Sequence, residues 1–436
     1  MNVILAIPLE ARLAALFVLG CCVGSLANLG IYRLAFRARS ISPWSRPEPA
    51  ALPRRPTDRL PVVGWLGLRR EVGLHGSGFW IRPMLVELLC GVSFAALYWW
   101  EIACQGLLPR NVHLAEAPDA VLHIEYAGHL VVISLMLVAS LIDADEKTIP
   151  DSITVPGTLV GLLLAAAFHW SLLPDVFPRP DRSPMLEFTC FVRPDRPVTL
   201  QSVRLTAPNE LPPSLHAFPH AGSLAIGLSC WWLWCVALLP RSWHGRHGWR
   251  RALQLFWARL ARERSTYGIL IIGVIGSAVT TVIWYFGGPA WLGLLTALVG
   301  MAGAAALVWT VRIIGAATLK REAMGFGDVT LMAMIGAFLG WQAALIVFFL
   351  APLAGLVVGL LQLILLRDSE IPYGPFLCLA ALAVIVFWGA IWDWAADVFA
   401  LIFQLGWIMP LVALGGLAVM AAMLRLLRGL RGLFAR

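Results

Sequence analysis

Charge is scarce in this chain. Asp, Glu, Lys and Arg make up only 13% of its 436 residues, about half the share of a soluble domain, which is too little to cover a water-facing surface. Paired cysteines are missing as well. The eight cysteines, at 21, 22, 90, 104, 190, 230, 235 and 378, contain no C-x-x-C pair and sit mostly in apolar runs. That pattern excludes a zinc ribbon and a disulfide framework, and fits soft buried filler. No signal-peptide cleavage site is evident, so the first apolar run reads as a retained helix. What is abundant is apolar: 59% of the residues are hydrophobic. The expectation is an all-α, polytopic membrane protein. The net charge of +8 falls in arginine-rich loops and not on one helical face. It reads as the positive-inside bias plus attraction to anionic lipid, with no nucleic-acid partner.

About eleven spans are expected. Residues 12–32 make the first. The loop from Arg33 to Arg82 holds ten arginines against Glu48, Asp58 and Glu71, which places it in the cytoplasm. Spans over 84–103, 127–142 and 152–171 follow, with the turn DADEKTIPD on the cytoplasmic side. Residues 172–221 contain ten prolines and form an external loop in which FTCFV and VTLQSVRLT alternate like two short strands. A span over 222–240 returns the chain to a stretch, Arg241 to Arg264, with seven arginines and one acid, Glu263. Part of it has the pattern of a basic amphipathic helix lying on headgroups. Spans over 268–287, 290–313, 329–340, 343–366, 374–394 and 400–424 complete the path. The run 329–340 measures roughly 18 Å as a helix, short for a crossing, so the turn before it is expected to dip into the bilayer, with Gly340-Trp341-Gln342 as the next turn. Three parts result: 1–171 with its loop 33–83, an intervening 172–288, and 289–436.

A carboxylate at the mouth of a membrane helix is costly and by default marks a functional site. Gly325-Phe326-Gly327-Asp328 places one there, just after Lys320 and Arg321, and Asp143 ends the third span on the same side. Two carboxylates brought close share one proton and can hydrolyse a peptide bond, one activating water and one donating to the carbonyl oxygen. The helix dipole favours an ionised Asp328 at a helix N-terminus and a protonated Asp143 at a C-terminus. Gly325 and Gly327 suit a sharp turn or close approach. Glu87, a second intramembrane acid in PMLVELL, suits an arginine partner or a direct role, as Lys320 suits substrate or structure. Blander readings stand beside these: Asp328 as a helix N-cap, and Asp145 and Asp151 as turn residues. An ion- or proton-coupled transporter using Asp143, Asp328 and Glu87 is a rival, and so is a transferase whose Asp143 and Asp145 hold Mg²⁺.

IDADEKTIPDSIT followed by REAMGFGDVTLMAMIGAFLGW resembles the type IV prepilin leader peptidase family of GxGD aspartyl proteases. VGSLANLGIYRL (23–34), RLPVVGWLGLRREV with RPMLVELL (59–89), and IPYGPFLCLA (371–380) match it in order. The resemblance implies catalytic aspartates at Asp143 and Asp328. It implies a bacterial inner-membrane enzyme that cuts type IV prepilins or type II secretion pseudopilins at the cytoplasmic face, after a glycine. Hydrolysis needs no cofactor. S-adenosylmethionine enters only if the family's second activity, N-methylation of the new amino terminus, is kept. The chain departs from the family pattern in three places. The two C-x-x-C pairs of the first loop are replaced by ISPWSRPE (41–48) and REVGLHGSGF (70–79), so a metal-held loop is not expected. Residues 172–288 add material, including two spans, between the aspartates. Thr330 stands where lysine is common. Oligomeric state is not readable.

Overall fold

Apolar runs in a chain with so little charge have one economical conformation, the helix, which satisfies every backbone group internally. The computed structural model describes residues 6–108, 112–114, 119–178, 187–192, 199–206, 220–239, 258, 262–319, 324–365 and 372–404. It is an all-α polytopic membrane fold with one small sheet. In chain order its main helices are α1 (Leu9–Leu34), α2 (Ile81–Tyr98), α3 (Asp119–Glu146), α4 (Asp151–Ala167) and α5 (Ala221–Ala237). There follow α6 (Arg264–Phe286), α7 (Gly288–Leu319), α8 (Phe326–Leu365), α9 (Gly374–Val386) and α10 (Trp388–Gln404). Among the described residues six helices are long and apolar enough to cross a membrane, and a seventh span exists if α9 and α10 count as one.

The described residues do not confirm the count of eleven spans. The expected spans 329–340 and 343–366 are the two halves of α8, two helices joined across a kink at Gly340, where the turn was expected; its φ of 81° is open to glycine but not to most residues. The expected span 374–394 breaks instead at Phe387, where α9 and α10 meet at 90°. The expected span 400–424 and the basic 241–264 stretch fall almost wholly outside the described residues, and Lys320 lies outside them too.

The first half of α8 is the axis of the molecule. Leu331, Met332, Met334, Ile335 and Ala337 are fully buried and pack against α7, α9 and α4. Protein, not lipid, surrounds this stretch, which is why its apolar run need not match the bilayer. Gly336 of α8 and Gly300 of α7 touch backbone to backbone, with no room for a Cβ on either, the close approach that small residues permit between membrane helices.

At one end of the bundle the chain between α1 and α2 folds into short turns docked on both helices. Glu87 of α2, fully buried, holds them. Its Oε1 accepts from Trp65 Nε1 at 2.9 Å and Asn28 Nδ2 at 3.2 Å, and its Oε2 accepts the Val62 N–H at 2.6 Å. The bond from Val63 N–H to the Pro61 carbonyl, at 2.6 Å, closes a γ-turn around Val62, whose φ is 64°. That conformation is strained for a β-branched residue, and Glu87 helps hold it. At the same end Asp58 takes both guanidinium nitrogens of Arg70 and the Arg55 N–H, while Glu71 pairs with Arg54 at 3.1 Å and with His75 at 3.4 Å. At the opposite end Val112–Leu114, Asp175–Pro178, Glu187–Val192 and Thr199–Thr206 form an antiparallel sheet, in which strands one to four run in the order 1-3-4-2.

Candidate active site

Asp143 lies in the last turn of α3, where the Lys147 N–H closes the helix on the Asp143 carbonyl at 2.8 Å. Lys147 has a φ of 55°, so the chain reverses, and Pro150 then starts α4. The reversal pushes Ile149 under the start of two other helices. Asp328 sits in the first turn of α8. Asp143 and Asp328 are 5% and 7% exposed, so both are nearly enclosed. The two carboxylates lie within electrostatic reach of one another, and Tyr373 and Cys378 of the third approaching segment share their surroundings.

Each carboxylate is held by one backbone donor. Asp328 Oδ2 accepts the Gly325 N–H at 3.1 Å, and Asp143 Oδ2 accepts the Gly374 N–H, also at 3.1 Å. Gly374 is the first residue of α9, so Asp143 faces the positive end of a second helix. The helix dipoles therefore oppose one another at Asp143: the end of α3 disfavours a carboxylate there and the start of α9 favours one. The geometry treats the two acids alike.

Close approach, not backbone handedness, explains the glycines. Neither Gly325 nor Gly327 has a positive φ. A Cβ at Gly327 would lie 2.8 Å from Ile149 Cβ, and one at Gly374 would lie 2.6 Å from Asp143 Oδ2 and 2.9 Å from Ile149 Cδ1. Gly325 has space, and contributes its N–H. Ile149 thus fits three motifs together, a role invisible in the sequence. Gly374 was legible only as part of IPYGP; its place ahead of Pro375 at a helix start was the available signal. Thr330 donates to the Gly327 carbonyl at 3.1 Å and reaches Asp151 at 3.5 Å, tying the start of α8 to that of α4.

The acids of the turn after Asp143 face elsewhere. Arg82 Nη1 donates to both oxygens of Asp145, at 2.7 and 2.9 Å, and Glu146 accepts the Phe36 and Arg37 N–H groups at 2.6 and 2.9 Å. Asp143 and Asp145 are thereby split, one inward and one outward, which removes the joint ligand set a Mg²⁺ site would need. Among the described residues no three His, Cys, Asp or Glu side chains are grouped to hold a metal. Glu87 has taken Asn28, Val62 and Trp65 as partners in place of an arginine, and it anchors the loop instead of joining the aspartates. The transporter reading loses its third acid.

The fold and site define a class: a polytopic membrane protein that gathers two buried aspartates from distant segments at one end of its bundle. Comparison with known proteins narrows it. Residues 258–360 match the type IV leader peptidase family, and residues 18–101 match the bacterial peptidase A24 N-terminal domain. In these two stretches the chain is similar to type IV leader peptidases. The first match includes Asp328; Asp143 lies between the two. Among its relatives are prepilin leader peptidase/N-methyltransferases. The one from Myxococcus xanthus is 33% identical over 150 residues, 34% of this chain and 39% of that protein. The one from Legionella pneumophila is 31% identical over 134 residues, 30% of this chain and 43% of that protein. That of Aeromonas salmonicida is 38% identical over 92 residues, 20% and 30% of the two chains. The matched stretches thus span less than half the length of these relatives. No solved structure matches the chain significantly.

Proposed function

We propose that this protein is a membrane aspartyl endopeptidase that removes the leader peptides of type IV prepilins or type II secretion pseudopilins. The observation that carries the reading is the pairing of Asp143 with Asp328, each fixed by a backbone N–H at a helix start. In this reading one carboxylate takes a proton from a water between them while the other gives its proton to the scissile carbonyl oxygen. The resulting tetrahedral diol collapses as the leaving amine is protonated. The pair then again holds one proton. The substrate's leader lies extended against the Gly325–Asp328 turn, because a helical peptide bond is shielded by its own hydrogen bonds. Its apolar helix stays in lipid beside the bundle. The arginine-rich loop next to the site supports a cut on the cytoplasmic side of a bacterial inner membrane.

Leader hydrolysis needs only water. S-adenosylmethionine is a cofactor only if the chain also methylates the new amino terminus. The loop that carries cysteine pairs in many relatives does not fit a metal here: 41–48 and 70–79 contain no thiol, and Glu71 and His75 are engaged with each other and with Arg54.

Co-expression with a candidate prepilin tests the reading by gel shift. Wild type removes the leader, Asp143→Ala and Asp328→Ala abolish removal, and Asp145→Asn keeps most of it. Cleavage persisting in both alanine variants would sink the mechanism, and collapse in Asp145→Asn would revive a metal site.

A further inference from the structure

A second buried cluster lies at the other end of α3, far from the aspartates. The end of α2 continues as a π-helical turn, Trp99–Ala103, a distortion common at functional sites, and Glu101 stands in it. Glu101, Glu125 and His129 are each only 1% exposed. Glu101 Oε1 meets His129 Nδ1 at 2.8 Å, an ion pair when the imidazole is protonated. Glu125 is one turn before His129 on the same face of α3 and within electrostatic reach of Glu101. It is eighteen residues from Asp143, about 27 Å along the helix, so the proposed hydrolysis makes no use of it.

Polar satisfaction fails here. Both oxygens of Glu125, Oε2 of Glu101 and Nε2 of His129 are buried without a hydrogen-bond partner. A desolvated carboxylate lacking any donor is costly, and each such group calls for an explanation. Nearby titratable groups do not supply one. Arg12 is spent on the Tyr98 hydroxyl at 2.7 Å, which also meets His123 Nε2 at 3.0 Å, and the Tyr126 hydroxyl donates to the Phe94 carbonyl at 2.8 Å. The turn His169–Ser171 after α4 packs on α3 as well. Glu101 and His129 can balance each other, which leaves Glu125 with one negative charge unmatched.

We propose that Glu125, backed by Glu101 and His129, forms a buried site for one monovalent cation, either sodium or a proton, that locks α2 to α3 at this end of the bundle. Carboxylate oxygens are the ligands a hard cation takes. A single positive charge is what the cluster lacks, and filling it stabilises the fold by mass action.

Thermal unfolding of the purified full chain in detergent separates the two ligands. One arm replaces choline chloride with sodium chloride at constant ionic strength and pH 8; the other lowers pH from 8 to 5 without sodium. A rise in Tm of a few degrees in the first arm identifies sodium, and a rise confined to the second and diminished in Glu125→Gln identifies a proton. Glu125→Gln, a neutral isostere, removes the response and raises the unliganded Tm towards that of the filled wild type. If Glu125→Gln does not fold, Glu101→Gln takes its place and must weaken the response. A wild type indifferent to both arms overturns the proposal, as does a response that survives unchanged in the variant.

Discussion

Gly374 shows how much of the site depends on a single atom. Its N–H anchors Asp143, and the missing Cβ is what lets the carboxylate come close. Gly374→Ala places a methyl 2.6 Å from Asp143 Oδ2, so the carboxylate must rotate away or α9 must withdraw. Either displaces one half of the proposed pair. The expected result is at least a tenfold loss of leader cleavage, about 1.4 kcal/mol of transition-state stabilisation. The variant should remain folded by thermal unfolding. Activity within a factor of two of wild type would show that the backbone contact does not position Asp143.

Among the elements, the arginine-rich loop between α1 and α2 is the one whose order can be tested apart from activity. Glu87→Ala strips partners from Trp65 Nε1, Asn28 Nδ2 and the Val62 N–H and releases the strained turn at Val62. The local cost is on the order of 2–4 kcal/mol, read as faster tryptic cleavage after Arg59, Arg69 or Arg70. Unchanged cleavage would mean that the loop is held from elsewhere. Asp58 adds a pH dependence. Burial raises its carboxyl, but the Arg70 side-chain bonds, the Arg55 N–H and the two guanidinium charges outweigh burial and hold it below the ordinary carboxylate value. A group lowered in the folded state stabilises above its unfolded value, about pH 3.9, and that contribution fades as pH falls through the folded value. Loop protection against hydrogen exchange is therefore expected to be flat above about pH 5 and to drop below about pH 4. Asp58→Asn should lack that drop; an identical drop would point to other carboxylates.

For the whole molecule, the contact between Gly300 and Gly336 sets how closely α7 and α8 approach, and α8 carries Asp328. Gly336→Val forces a branched side chain into backbone and is expected to cost about 3 kcal/mol, with loss of both Tm and cleavage. Gly303→Val is the control, because a Cβ at Gly303 meets nothing within 4 Å and should be tolerated. Equal effects from the two would refute a backbone-to-backbone seam. The same seam explains why a run too short to cross a bilayer can stand after Asp328. Hydropathy counts apolar residues without knowing what covers them, so twelve such positions after Asp328 read as a short span. In three dimensions they are the enclosed first half of α8, which ends at the Gly340 kink. At Phe387 no proline or charge marks the bend, and only the packing of α9 and α10 reveals it.

The sequence alone determined the solvent and the chemistry. Scarcity of charge dictates a membrane, and an acid beside an apolar run is too costly to stand without purpose, so Asp143 and Asp328 were readable as candidates. Tertiary structure decided which groups surround them. Donors such as the Gly374 N–H are backbone atoms with no sequence signature. The neighbours of Asp145, Glu87 and Glu125 come from segments far along the chain, which only folding brings within hydrogen-bond reach.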